Sequence, residues 1–275
     1  MAGTPQLPNL IPLMVAVDMD GTFLDPDGSY DRVRFSHIRR AMRGAGCRFV
    51  VASGNQYHQL GRFFDDPAHE LSYVAENGAL VAEGGAVISY TEIPADALAD
   101  AVAMILADPR IETALCCLNA AYVQNGTASR RFFAVMKRYF PRIGWTDDLL
   151  DIDDVPLKFS LSTADGEEAA IAEELSARLG RVLVPTVSGN GSIDLMMPAC
   201  TKAAGISLLA KRWGIPRSRI VAFGDNDNDI EMLVLAGTGY AMENASEGAR
   251  LAADRLCPSN RDHGVLQTLE GIFGL

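Results

Sequence analysis

Two short apolar segments, far apart in the chain, each end in a group of aspartates. Residues 13–17 lead into Asp18-Met19-Asp20-Gly21-Thr22, and residues 220–223 lead into Gly224-Asp225-Asn226-Asp227-Asn228-Asp229. A segment that is apolar at nearly every position is typical of a parallel strand buried on both faces. The pattern therefore predicts an α/β fold with both acidic groups at strand carboxyl ends, where open α/β sheets bind ligands.

The two acidic groups also predict a single divalent-metal site. Asp18 and Asp20 can place a carboxylate beside a metal ion, while the following turn, with Gly21 and Thr22, offers backbone N–H groups to an anion. A metal ion next to an anion-binding turn is suited to phosphoryl transfer.

A second segment with the same spelling serves as an internal comparison. Asp25-Pro26-Asp27-Gly28 repeats the Asp-x-Asp-Gly pattern, but no apolar segment precedes it. Proline at a turn position with glycine shortly after it is typical of a surface turn. We therefore expect Asp25 and Asp27 to lie outside the metal site.

Strand and helix patterns alternate on both sides of a segment of different character. Strand candidates at residues 47–52 and 72–75 alternate with helix candidates at 31–44 and 56–64, which is the rhythm of a parallel sheet. Residues 85–190 instead show hairpin-like strand pairs with helices, after which the alternation returns. The pattern predicts a Rossmann-like parallel-sheet core of residues 1–84 and 191–275, with an inserted α+β domain at 85–190.

Composition limits the classes of partner. The chain has 275 residues and a net charge of -11, which argues against binding to a nucleic-acid backbone. Its densest basic stretch, residues 130–139, carries apolar residues at helical spacing and is interpreted as a solvated helix face. No segment has the length of a membrane helix or the start of a signal peptide, and the five cysteines form no Cys-x-x-Cys pair. We therefore expect a cytoplasmic protein with reduced thiols.

In combination and order, Asp18/Asp20, Ser53, Lys202 and Asp225/Asp229 resemble the haloacid dehalogenase superfamily. The position of the insertion resembles the cap of its Cof-type branch (cap type IIB). The stretches Val50-Val51-Ala52-Ser53-Gly54-Asn55-Gln56-Tyr57 and Ala75-Glu76-Asn77-Gly78-Ala79 look closest to the bacterial sugar phosphatases of that branch. The resemblance extends over nearly the whole chain.

The resemblance implies a role for the acidic residues. Asp18 would attack phosphorus and form an aspartyl-phosphate, and Asp20 would protonate the leaving group and later deprotonate water. Asp18 and Asp225 would bind Mg²⁺ through their side chains, with the backbone carbonyl of Asp20 as a further ligand. Asp229 would support Lys202 or a metal-bound water from behind.

The resemblance also implies how the phosphate is held. Ser53 and the N–H of Gly54 would donate to phosphate oxygens, and Lys202 would stabilise the charge of the transition state. The other expected contacts with phosphate or substrate are Thr22 and Asn228. Many Cof-type enzymes carry arginine at the position of Asn55, so this chain is expected to differ in its substrate contact there.

The second acidic segment also resembles a different kind of metal-binding loop. The segment from Asp225 to Asp229 imitates a calcium-binding EF-hand loop, but Ile230 and Ala236 replace the glycine and glutamate which that loop needs.

The expected function is a magnesium-dependent phosphatase of small phosphorylated metabolites, with sugar phosphates as the favoured class and the cap choosing among them. The alternatives are a phosphomutase, which would release an isomerised sugar phosphate, and a non-catalytic protein that binds a phosphosugar or a metal.

Overall fold

The structure is a computed structural model that describes residues 11–64, 66, 69–164, 166–189 and 191–275. Its strands are β1 Met14–Val17, β2 Arg48–Ala52, β3 Ser72–Ala75, β4 Leu80–Glu83, β5 Ala86–Tyr90, β6 Glu112–Cys117, β7 Ala121–Gln124, β8 Ile143–Thr146, β9 Pro156–Ser162, β10 Val184–Gly189, β11 Ser192–Met196, β12 Ile220–Gly224, β13 Thr238–Met242 and β14 Arg255–Cys257. Its helices are α1 Arg32–Gly44, α2 Tyr57–Phe63, α3 Ala95–Leu106, α4 Arg130–Tyr139, α5 Glu168–Leu179, α6 Lys202–Trp213, α7 Ile230–Leu235, α8 Glu247–Ala252 and α9 Gly264–Phe273.

The chain divides into two compact units. The first unit contains the described residues up to Ser53, together with Glu70–Ser72 and Ile206–Leu275. The second unit contains Gly54–His69 and Tyr73–Gly205. The boundaries of 85 and 190 predicted for the inserted domain stay a prediction.

The first unit is built on a parallel sheet with strand order β14-β13-β12-β1-β2. All four residues of β1 are fully buried, as its continuous apolar sequence predicts. In the pairing of β1 with its two neighbours, Val17 lies opposite both Phe223 and Val51. The residues that follow β1, β2 and β12 therefore leave the sheet side by side, at its carboxyl edge.

The helix that follows β1 has a sequence-encoded start and a buried face. The Asp31 side chain accepts a hydrogen bond from the N–H of Arg34 and caps α1, and Phe35, Ile38 and Met42 are buried on one face. Arg34 also forms a bidentate ion pair of 2.7 Å with Glu270 of α9. These contacts anchor both helices within the unit.

The second unit contains a six-stranded sheet in the order β10-β11-β9-β6-β7-β8, in which only β7 and β8 pair in parallel. Residues of α3 and α5 share one apolar core with Phe159 of β9, and Phe132 and Met136 of α4 share another with Val123 of β7. A separate hairpin joins β4 to β5 through Gly84 and Gly85, both with positive φ, as a two-residue hairpin turn requires.

The α/β architecture predicted from the sequence is confirmed. The strands and helices predicted at residues 13–17, 31–44, 47–52, 56–64, 72–75 and 220–223 are present with their ends shifted by a few residues at most, and no strand was predicted at the positions of β4 and β8. All five cysteines are free and buried, as expected for reduced thiols. Among the described residues, the helices are too short or too polar to span a membrane.

Candidate active site

Three aspartates meet at the carboxyl edge of the parallel sheet of the first unit. Asp18 directly follows β1, Asp225 directly follows β12, and Asp229 lies one turn further along the chain. One carboxylate oxygen from each lies within 4.8 Å of the others. Asp18 and Asp229 are buried and Asp225 is half-buried. The structure therefore brings together the two acidic groups of the sequence.

Hydrogen bonds orient two of these carboxylates. The hydroxyl of Thr22 donates to Oδ1 of Asp225 over 2.7 Å. Oδ2 of Asp229 accepts the backbone N–H groups of Asp225 and Asn226 at 3.0 and 3.1 Å. Asp229 is fully buried, so its charge is balanced in part by these two N–H dipoles. Asp229 thereby fixes the backbone of the segment that carries Asp225.

A glycine is required where the first acidic turn approaches the second. Gly21 has a φ of +81°, and a Cβ at this position would lie 2.3 Å from Oδ2 of Asp225. The amide of Asn244 donates to the carbonyl of Gly21 over 2.8 Å, and Asn244 in turn accepts the N–H of Asn260. The close approach of the turn to Asp225 thus excludes any side chain at position 21.

The donor set of the cluster fits a magnesium ion. Its three groups are carboxylates, which are the hard oxygen ligands that Mg²⁺ prefers. Three negative charges gathered at one partly buried place repel one another unless a cation compensates them. Two of the metal ligands predicted from the sequence, Asp18 and Asp225, belong to this cluster, and its third member is Asp229, which was expected to support the site from behind.

The remaining predicted site residues lie in both units. In the first unit, Asp20 is exposed, Ser53 is buried directly after β2, and Asn228 is half-buried in the turn between β12 and α7. In the second unit, Gly54 follows Ser53 along the chain, and Lys202 is the first residue of α6 and is only 1% exposed.

The two aspartates that were expected to lie outside the site form a surface turn. Oδ1 of Asp25 accepts the N–H groups of Asp27 and Ser29, and the segment is largely exposed. This interpretation of the second Asp-x-Asp-Gly segment is confirmed. Asp227 is also exposed, and its carboxylate accepts the hydroxyl of Ser246 over 2.6 Å.

A buried charged cluster in the second unit was missed by the sequence analysis. Nζ of Lys158 in β9 lies 3.1 Å from Oε2 of Glu76, 3.0 Å from Oδ1 of Asp194 and 2.7 Å from the carbonyl oxygen of Gly54. All three charged side chains are more than 90% buried. Asp194 stands between apolar residues in β11, which is a weak signal, whereas Lys158 alternates with Ser160 and Ser162 in β9 and so follows the pattern of a solvent-facing position.

Comparison with known proteins decides the family. Haloacid dehalogenase-like hydrolases match the chain over residues 15–269. The chain belongs to this family. Among its relatives in this family is the 5-amino-6-(5-phospho-D-ribitylamino)uracil phosphatase YbjI of Escherichia coli, to which it is 40% identical over 260 residues. This match covers 94% of this chain and 96% of the relative.

Two solved structures have the same fold. SMU.1108c from Streptococcus mutans superposes with a TM-score of 0.90 at 32% identity, covering 96% of this chain and 100% of that one. The subclass IIB sugar phosphatase BT4131 superposes with a TM-score of 0.77 at 20% identity, covering 94% and 99%, and this likeness concerns the fold alone. The resemblance to Cof-type hydrolases of the haloacid dehalogenase superfamily is confirmed, and the chain is a phosphatase of this family.

Proposed function

We propose that this phosphatase is magnesium-dependent and hydrolyses small phosphorylated metabolites, with sugar phosphates as its substrate class, through an aspartyl-phosphate. The observation that carries the proposal is the convergence of Asp18, Asp225 and Asp229 at the ends of β1 and β12. A nucleophilic carboxylate placed beside a cation site is the arrangement that phosphoryl transfer needs.

Two residues carry the covalent steps of the proposal. A carboxylate oxygen of Asp18 attacks phosphorus, the bond from phosphorus to the substrate oxygen breaks, and Asp20 gives its proton to that oxygen. Asp20, now a carboxylate, then removes a proton from water, which attacks phosphorus and releases inorganic phosphate from Asp18. Burial suits Asp18 to attack out of bulk water, while exposure of Asp20 suits a group that exchanges protons.

Other residues hold the phosphoryl group and the metal. Ser53, the N–H of Gly54 and Lys202 are proposed to stabilise its oxygens, and the same role is proposed for Thr22 and Asn228. Asp18, Asp225 and the carbonyl of Asp20 would hold the magnesium ion, with Asp229 supporting the Asp225 segment. When bound, the ion would neutralise charge on the phosphoryl oxygens.

One relative suggests which phosphorylated compound to test first as a substrate. The relative from Escherichia coli is named for 5-amino-6-(5-phospho-D-ribitylamino)uracil, in which the phosphate is carried by a sugar-alcohol chain. A substrate of this kind shares a phosphorylated polyol with the sugar phosphates. The inserted domain at 85–190 is proposed to select the leaving group. The proposed location is the cytoplasm, where thiols stay reduced, and the five free cysteines agree with it.

Release of inorganic phosphate from a substrate panel tests the proposal. The panel contains 5-amino-6-(5-phospho-D-ribitylamino)uracil, pentose and hexose phosphates and a nucleoside monophosphate, each with Mg²⁺ and with EDTA. We expect magnesium-dependent release from at least one phosphorylated sugar or polyol. Isomerised sugar phosphate without free phosphate would identify a phosphomutase, and no release from any substrate would contradict the proposal.

A further inference from the structure

A ring of contacts formed by Lys158, Asp194 and Asn77 surrounds Gly54 in the second unit. The ammonium of Lys158 donates to the Gly54 carbonyl and contacts Asp194. Oδ2 of Asp194 accepts the amide Nδ2 of Asn77 over 2.8 Å. Asn77 packs close to Gly54 and completes the ring, since a Cβ added to Gly54 would lie only 3.1 Å from its Nδ2 and Oδ1 atoms. Three segments distant from Gly54 in sequence therefore meet around it.

The strand geometry explains why Lys158 and Asp194 share this place. β9 pairs with β11 so that Lys158 lies opposite Met196 and Ser160 lies opposite Asp194. Lys158 and Asp194 are therefore diagonal neighbours on one face of the sheet, within reach of a long side chain. Phe159, which lies between Lys158 and Ser160 in β9, points to the opposite face and joins an apolar core.

The residue after Gly54 is held as well. The N–H of Glu76 donates to the carbonyl oxygen of Asn55 over 3.1 Å. Glu76 and Asn77 both adopt positive φ, of 50° and 53°, which is uncommon for residues with side chains and requires surrounding contacts to maintain it. Lys158 supplies one such contact, since it pairs with the carboxylate of Glu76.

Charge favours a permanent ammonium at the centre of the ring. Burial by itself lowers the pKa of Lys158, but the carboxylates of Asp194 and Glu76 outweigh burial and raise this pKa above its ordinary value. Burial raises the pKa of Glu76, an effect that Lys158 partly offsets. The two acidic side chains therefore hold Lys158 in its charged form, which is the form that donates to the Gly54 carbonyl.

We propose that Lys158 is a positioning residue for phosphoryl transfer, because its ammonium fixes the Gly54–Asn55 peptide. The carbonyl of Gly54 and the N–H of Asn55 belong to one planar trans peptide and point in opposite directions. When Lys158 holds this carbonyl, the N–H of Asn55 points away from the ring. The same contact restricts rotation of the Gly54 backbone, and the N–H of Gly54 is the group proposed to bind the phosphate. This inference rests on the proposed function.

The test compares Lys158→Met with Phe159→Leu in the same strand. Both changes remove interactions of a fully buried side chain, but only Lys158 contacts Gly54. Both variants are assayed at a temperature at which circular dichroism shows them folded. We expect Lys158→Met to lower kcat/KM about 10- to 100-fold and to raise the inhibition constant of orthovanadate by a similar factor, because small displacements of positioning groups have effects of this size. Phe159→Leu should keep kcat within about threefold at a comparable loss of Tm.

The outcomes separate the inference from the proposed function. Absence of phosphate release by the native enzyme contradicts the proposed function. An active native enzyme, together with a folded Lys158→Met variant whose kcat/KM and orthovanadate inhibition stay within about threefold of native, overturns the inference alone. If Lys158→Met does not fold, Asp194→Asn replaces it. This variant replaces one of the two carboxylate oxygens by an NH2 donor, so either Lys158 or Asn77 loses its acceptor and Lys158 loses a countercharge. A loss of kcat/KM above threefold supports the inference, whereas a smaller loss overturns it.

Discussion

Replacing Asp225 by asparagine is expected to stabilise the metal-free protein and to remove its stabilisation by Mg²⁺. The oxygens of Asp225, Asp18 and Asp229 lie within 4.8 Å of one another. At that separation two unit charges repel by about 3 kcal/mol at an effective dielectric constant of about 20, and by less where water reaches them. Asp225 is half-buried, and asparagine keeps the acceptor for the Thr22 hydroxyl. We therefore expect a gain of about 1–3 kcal/mol in the free energy of unfolding.

Urea unfolding in EDTA and in Mg²⁺ measures both effects. A ligand at about 100 times its dissociation constant adds about 2.7 kcal/mol to the free energy of unfolding of a protein that binds it only when folded. The native protein should show a gain of this order. The Asp225→Asn variant, which loses one of the proposed ligands, should gain less than about 0.5 kcal/mol under the same conditions.

Asp227→Asn is the matched control, because it removes the same formal charge from the same loop. Asp227 is exposed, and asparagine keeps an acceptor for the hydroxyl of Ser246. We expect this variant to remain within about 0.5 kcal/mol of the native protein and to keep the response to Mg²⁺. The reasoning is refuted if Asp225→Asn is less stable than the native protein in EDTA, or if it keeps the full magnesium response.

Three further predictions follow from the geometry and the pKa shifts. Gly21→Ala should lose about 2–4 kcal/mol of unfolding free energy and most of the magnesium response, because a left-handed alanine costs about 1–2 kcal/mol and its Cβ displaces the Asp225 carboxylate. Burial raises the pKa of Glu76, so its protonated form stabilises the folded protein. This contribution to the free energy of unfolding is fully present below the ordinary pKa of 4.5 and is lost as pH rises towards the folded-state pKa. Urea unfolding should therefore show Glu76→Gln gaining stability relative to the native protein as pH rises. Burial raises the pKa of Cys47 and Cys257 to about 12, and a chromogenic disulfide reagent should react with the native thiols at least about 100-fold more slowly than with the urea-unfolded ones.

Each of these predictions has an outcome that contradicts it. Gly28→Ala is the control for position 21, because Gly28 has a φ of +76° but no atom within 4 Å of an added Cβ. Equal effects of the two substitutions would show that the contact with Asp225 does not matter. The charged neighbours of Glu76 are Lys158 and Asp194, and burial keeps the nearby Cys116 a neutral thiol by raising its pKa. The Glu76 prediction is wrong if the native protein gains stability relative to Glu76→Gln as pH rises. Rapid modification of the native thiols would contradict the burial of Cys47 and Cys257.

The convergence of the aspartates could be predicted because it depends on sheet geometry alone. Fully apolar segments identified β1 and β12 as buried parallel strands, and neighbouring parallel strands present their carboxyl ends at the same edge. Asp18 and Asp225 were therefore placed together without knowledge of any contact. The helix predicted at residues 31–44, which is α1, rested on a similarly local pattern of apolar residues on one face.

The features that escaped prediction depend on contacts between distant segments. The strand β8 has four residues, includes Gly144 and is half-exposed, so its pattern is too weak to distinguish it from a loop. A single lysine in a strand ordinarily marks a solvent-facing position, but Lys158 points inwards because Glu76 and Asp194 meet it there. Neither carboxylate is near Lys158 in sequence, and no local pattern indicates the pairing.

The rate of phosphate release by Asp18→Asn, beside that of Asp25→Asn, tests the central claim most directly. Both aspartates begin an Asp-x-Asp-Gly segment, but Asp18 belongs to the buried cluster and Asp25 to a surface turn. With Mg²⁺ and the best substrate of the panel, Asp18→Asn should lose at least about 1,000-fold in kcat, because an amide cannot replace the nucleophile, while Asp25→Asn should stay within about twofold. Comparable rates for Asp18→Asn and the native enzyme would contradict catalysis through an aspartyl-phosphate at Asp18.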